Sequence, residues 1–138
     1  MSYKIVSKFI KDISFEIPNA QSFVLLEKEV ANYSLNFDIK SKPYKDNIIE
    51  VDTTLKMVPN ENVTHKILCE LTGASLVSID KDFNNKSELE KIVLIKVPQE
   101  IYKTLYDTFV FLFKQAGVQS IQINKEVDFQ KLFDLRKK

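Results

Sequence analysis

At 138 residues, with 20 Lys and Arg against 19 Asp and Glu, the chain carries a formal charge of +1, so no net field recommends nucleic acid or an anionic membrane as partner. Its 44% hydrophobic and 28% charged content, with two glycines and four prolines, argues against a linker or a disordered region. A single domain over residues 1–138 is expected, burying roughly two thirds of the surface its unfolded chain exposes.

Cys69 is the one cysteine, which leaves no internal disulfide and no metal-ligand spacing and fits a reducing, cytoplasmic setting. The opening MSYKIVSKFIKD interrupts its apolar residues with Lys4, Lys8 and Lys11 and does not read as a secretory signal. No apolar run approaches the ~18 residues that crossing a membrane requires.

Taken in chain order, the apolar residues alternate on odd numbers. Phe9, Ile13, Phe15 and Ile17 form the first set, with Asp12, Ser14 and Glu16 opposed, and Pro18 with Asn19 turns the chain. Gln21 to Val30 holds Phe23, Val24, Leu25 and Leu26 without a clear period and reads as a crossover loop carrying exposed apolar side chains. A second strand follows in Ala31, Tyr33, Leu35, Phe37 and Ile39, a third in Ile49, Val51, Thr53, Leu55 and Met57, and a fourth in Val63, His65, Ile67, Cys69 and Leu71. Gly73 suggests a bulge or bend in that last strand. The gaps after the second and third strands are turn-length, so the pattern predicts an antiparallel sheet with one buried face.

Lys91 to Val97 (KIVLIKV) is short and β-branched and reads as extended, although Ser87 and Glu90 would also suit a helix cap. From Pro98, Ile101, Leu105, Phe109, Leu112, Phe113 and Ala116 recur at helical spacing as far as Gly117, a helix of about five turns. Tyr102, Tyr106 and Val110 add a second stripe, wider than one sheet contact needs, which suggests a partner subunit. Ser120 to Ile123 reads as extended. Val127 to Leu135, capped by Asp128, reads as a short amphipathic helix bearing Phe129, Leu132 and Phe133. The fold class is therefore α+β: a four-stranded antiparallel sheet with a long helix and a short C-terminal helix packed on one face.

Catalytic chemistry finds little support. His65 and Cys69 lie four residues apart on one strand, roughly 13 Å at strand rise and out of hydrogen-bond reach. There is no CxxC, no His pair and no glycine-rich loop. No cofactor or metal is called for, and the chain does not read as an enzyme. Asp12, Glu16 and Glu70 fall on the solvent face of the sheet with apolar Leu68 among them. That set reads either as a generic solvated face or as an acidic docking patch with an apolar centre for a basic partner surface. Of the ten Phe and five Tyr, most serve the core, while Phe23, Tyr102, Tyr106, Phe129 and Phe133, if exposed together, would form an adhesive groove for extended apolar segments.

KDISFEIPNA (Lys11 to Ala20), CELTGASLVSI (Cys69 to Ile79), VLIKVP before the long helix and VDFQKLF (Val127 to Phe133) stand in one order across about residues 8 to 135. Together they resemble the SecB family of protein-export chaperones. The resemblance implies an ATP-independent holdase that keeps precursor proteins unfolded and delivers them to the motor ATPase SecA, assembling as a dimer of dimers. Matched position by position, it implies SecA contact through Asp12, Glu16, Leu68 and Glu70. Client contact is implied through Phe23, Leu25 and Leu26, with Phe129 and Phe133, and subunit contact through Cys69 and Leu71, to which the apolar long-helix residues Leu105, Phe109 and Leu112 are added. The chain departs from the family where FPYAR or FPFAR is replaced by YKTLY (Tyr102 to Tyr106) and where an acidic tail is replaced by Arg136, Lys137 and Lys138. Relatives that hold an antitoxin supply the alternative reading, and an adaptor domain that dimerises without binding unfolded chains supplies another.

Overall fold

The computed structural model describes residues 3–29, 33–59, 66–118 and 127–136. Four antiparallel strands, β1 (Tyr3–Glu16), β2 (Tyr33–Lys45), β3 (Ile48–Pro59) and β4 (Leu68–Ile79), form one sheet in the order β1-β4-β3-β2. Helices α1 (Ala20–Glu29), α2 (Lys86–Lys91), α3 (Val97–Gln115) and α4 (Phe129–Arg136) complete the fold, and a π-helical segment, Ile92–Lys96, joins α2 to α3. His65, Ala31 and the stretch 120–123 lie outside the described residues.

Alternation places Val51, Thr53, Leu55 and Met57 of β3 and Cys69, Leu71, Ser75 and Val77 of β4 in the buried layer, as period-two patterning requires. On β1 the rule breaks. Its register with β4 shifts by one residue between Ile5 and Ser7 and again between Ile10 and Asp12, so each shift inserts a residue and exchanges the faces. Phe9 pairs with Ala74 on the outer face and is exposed, whereas Ile10 pairs with Gly73 and packs against the core. The grouping of Phe9 with Ile13, Phe15 and Ile17 is thereby corrected.

The bulge expected at Gly73 belongs to β1, opposite it, and β4 runs unbroken. The glycine is needed because α3 crosses closely: a Cβ there would stand 2.7 Å from Ile101 Cδ1 and 3.1 Å from Leu105 Cδ2.

Two further expectations are overturned. The presumed crossover loop is helix α1. Asn19 starts it, its Oδ1 accepting from the Ser22 amide at 2.9 Å and its carbonyl from the Phe23 amide at 3.2 Å, the geometry of an N-cap. The presumed strand Lys91 to Val97 is helical, continuous from α2, which Asn85 caps by accepting from the Glu88 amide. Ile92, Val93 and Val97 bury against Val51 and Val77 of the sheet, and this contact outweighs their β-branched preference. The widened π turns end where Pro98 has no N–H to continue the ladder.

Helix α3 matches its expected span. Gly117, at φ +99, donates to the Lys114 carbonyl and Val118 to that of Phe113, the paired closure of a Schellman end. Phe109 and Phe113 meet at 4.8 Å between ring centroids, tilted by 42°, with Phe15 of β1 edge-on to Phe113 at 5.0 Å. The second stripe on α3 does not wait wholly for another subunit, because Tyr102 is buried by Phe129 of α4, their rings 6.1 Å apart.

Burial pushes the Cys69 thiol up to about 12 and, with a smaller contribution from neighbouring Tyr106, the Tyr102 hydroxyl also up to about 12. Both lie above the ordinary 9.0 and 10.0, so ionisation favours the unfolded chain. Stability should be insensitive to these groups below pH 9 and fall between pH 9 and 12, read as a declining urea midpoint. Cys69 should resist thiol reagents at mildly alkaline pH until the chain is unfolded.

Candidate client groove and outer sheet face

Helices cover one face of the sheet unevenly, and a groove opens along β2. Its wider part, about 460 Å³, lies between Ile39, Ser41 and Pro43 of β2, Ile49 of β3, Leu89 of α2, and Val93 and Leu94 of the π segment. Its second part, about 320 Å³, is lined by Leu35, Phe37, Ile39, Leu94 and by Leu132 and Phe133 of α4. Ile39 and Leu94 border both, so the two form one trough running with the strand. The π segment puts Leu94 in that position while Ile92, Val93 and Ile95 around it are buried. Because among the described residues β2 is an edge strand with β3 on one side, alternate backbone N–H and C=O groups from Leu35 onward point away from β3 along the trough.

Beneath it is an aromatic cluster in which Phe37 meets Phe129 at 5.4 Å and Tyr102 at 5.8 Å. Asp128 caps α4, accepting from the Lys131 amide at 3.0 Å, which turns Phe129 and Phe133 inward. Of the expected client residues, Phe133 borders the trough while Phe129 supports it from below. Phe23, Leu25 and Leu26 lie on α1, outside both parts of the trough. Leu26 is buried in the main core, Leu25 is half-buried, and Phe23 rests near Gly117. Sequence reasoning missed Leu35 and Ile39, on the expected second strand, as groove residues, and missed Leu89 and Leu94 because their placement follows from the helical reading of residues 86–97 that composition did not favour.

The other sheet face brings the expected docking residues together. Glu16 pairs with Leu68, Ser14 with Glu70 and Asp12 with Thr72, all directed away from the helices. Leu68 is 42% exposed. Asp12 and Glu70 share a shallow depression with Asp38, Asp52, Lys11, Lys40 and the hydrogen-bonded hydroxyls of Thr54 and Thr72, 2.9 Å apart. The face is thus mixed in charge. Lys11 reaches Glu50 at 2.5 Å and Asp52 at 2.8 Å. Its hydrogen bond holds Glu50 below the usual carboxylate range, while burial raises Asp52.

Of the residues expected at subunit contacts, Cys69, Leu71, Leu105 and Phe109 are closed inside the chain's own core, and only Leu112 is partly exposed, next to exposed Phe111. Among the described residues no group of His, Cys, Asp and Glu could hold a metal ion, and no helix is long and apolar enough to cross a membrane.

An α+β sheet of this order, with one long and one short C-terminal helix, is the fold of SecB-like chaperones. It superposes on the SecB-like chaperone of Mycobacterium tuberculosis, solved with a peptide from an antitoxin, at a TM-score of 0.64. That match covers 89% of this chain and 88% of that one at 10% identity. A Streptococcus agalactiae protein of unknown function matches at 0.55, covering 92% and 98% at 12% identity. The family model described as preprotein translocase subunit SecB matches residues 1–138, and the chain belongs to the SecB family. The putative protein-export protein SecB of Pelagibacter ubique is 37% identical over 98% of this chain and 96% of its own length. The protein-export protein SecB of Methylibium petroleiphilum is 24% identical over 96% and 78%.

Proposed function

We propose that this SecB-type chaperone is a passive holdase, working without ATP in the cytoplasm, that binds unfolded precursor polypeptides and passes them to SecA. The observation that carries the reading is the apolar trough beside β2, an edge strand of the sheet among the described residues. An extended client laid there can pair its backbone with the edge while side chains on one face enter the trough, which is recognition by strand addition. Many weak apolar contacts then slow release without a nucleotide cycle. The names of the curated relatives, export proteins, favour export over the antitoxin alternative. Family membership favours a non-enzyme.

Handover would use the outer face through Asp12, Glu16, Leu68 and Glu70. A dimer of dimers would use Leu112 and Phe111 directly, with Cys69, Leu71, Leu105 and Phe109 shaping the surface from beneath.

The test is light scattering of a denatured precursor diluted into buffer with and without the protein. Wild type should suppress aggregation. Leu132→Asp, at a trough residue 38% exposed, should hold the client markedly less well with its unfolding free energy, from urea titration, within about 0.5 kcal/mol of wild type. Equal suppression by the variant, or none by wild type, would remove the trough from the account.

A further inference from the structure

Lys11 stands at the second β1 bulge. Strict alternation from outward Phe9 would point Lys11 outward and Asp12 inward; the inserted residue lets both face outward. From the edge strand β1 the Lys11 side chain spans the neighbouring β4, where Ala74 pairs with both Phe9 and Asp52 and is fully buried, and reaches the carboxylates of β3. A small residue at that crossing leaves room for the lysine stem. The ammonium bonds Glu50 Oε2 and Asp52 Oδ2, whose side chains keep only 13% and 20% of their exposure, while Lys11 keeps 37%. Asp52 Oδ1 stays buried, with no hydrogen-bond partner among the described residues, beside the depression that Asp12, Asp38 and Glu70 also line. The other lysine lining this depression, Lys40, is a loose partner, 3.9 Å from Asp38 with 80% of its side chain exposed.

We propose that Lys11 is an internal occupant of the outer face, holding on Glu50 and Asp52 the place that a basic side chain of a docking partner would take. It therefore confines such a partner to the half of the face bearing Asp12, Glu16 and Glu70. The charge arithmetic supports this: the two carboxylates and Lys11 sum to −1, and without the lysine they present −2 beside an already acidic depression. The inference rests on the docking reading of this face and adds its boundary and the residue that sets it.

The measurement is fluorescence anisotropy of a labelled hexalysine peptide against the full chain, at low and at physiological salt. Lys11→Met should bind about fivefold tighter than wild type, with a steeper salt dependence. Lys40→Met, which removes the same charge from the same face, should gain less than about twofold. Adding Glu50→Gln and Asp52→Asn to Lys11→Met should erase the gain.

Equal gains for the two lysine variants, a gain that survives the triple substitution, or no binding by Lys11→Met would each overturn the proposal. Should Lys11→Met fail to fold, Lys11→Gln, which removes the same charge and keeps a polar side chain, decides the matter. It should show the same gain, measured against Lys40→Gln, and equal affinities for the two refute the idea. Whether SecA itself docks here is decided separately by reversing Asp12 and Glu70, so the two can fail independently.

Discussion

Truncating Phe129 to alanine should lower the unfolding free energy by roughly 3 kcal/mol or more, a large fraction of an ordinary domain's stability. The ring is buried against Phe37 and Tyr102 at 5.4 and 6.1 Å, so its loss leaves a cavity between β2, α3 and α4 as well as removing transfer energy. Helix α4 is short and is anchored by buried Phe129 and Phe133, so it should loosen first and take Leu132 and Phe133 away from the trough. Urea unfolding should show the midpoint drop, and aggregation assays should show weaker holding alongside it. Phe129→Leu should restore most of both. A shift below about 1 kcal/mol would mean that α4 is not held by this contact.

Reversing two charges, Asp12→Lys with Glu70→Lys, should cost at least about tenfold in SecA affinity, because a rim of carboxylates facing a basic surface becomes repulsive. Both residues lie on the outer face, remote from the trough, so suppression of client aggregation should be unchanged. Co-sedimentation of SecA with the variant at wild-type level would refute the outer face as the docking site. Loss of client holding together with SecA binding would instead indicate a misfolded sheet.

Much of this architecture could be read from residues alone. Alternation at Leu55, Met57, Cys69 and Leu71 marks strands with one buried face, and the Ile101, Leu105, Phe109 and Phe113 stripe ending at Gly117 marks α3. What escaped was governed by contacts that composition does not encode. Ile92 to Val97 carries strand-forming residues, yet its surroundings are the apolar sheet face and the start of α3, and helix results. Asn19 after Pro18 looked like a turn, though an asparagine before ten helical residues is equally a cap. The bulges of β1 leave no mark in a period-two count except two changes of phase, and these decide that Phe9 and Lys11 face outward.

That Asp12, Glu16, Leu68 and Glu70 share the outer face was legible because parity survives at both ends of the affected segment. The trough was legible only in part. Phe133 was expected to contact clients, but Leu94 across from it comes from a segment that reads as extended and is helical, and nothing in the strand pattern of Ile39 says that a groove opens beside it.

Hydrogen exchange of the protein with and without a bound unfolded precursor tests most directly whether clients lie along β2. Alternate amides between Leu35 and Lys45 should gain protection on client binding, while β4 amides between Glu70 and Val77, already paired on both sides, should not change. Unaltered exchange along β2 in a complex that demonstrably holds its client would contradict the edge-strand account.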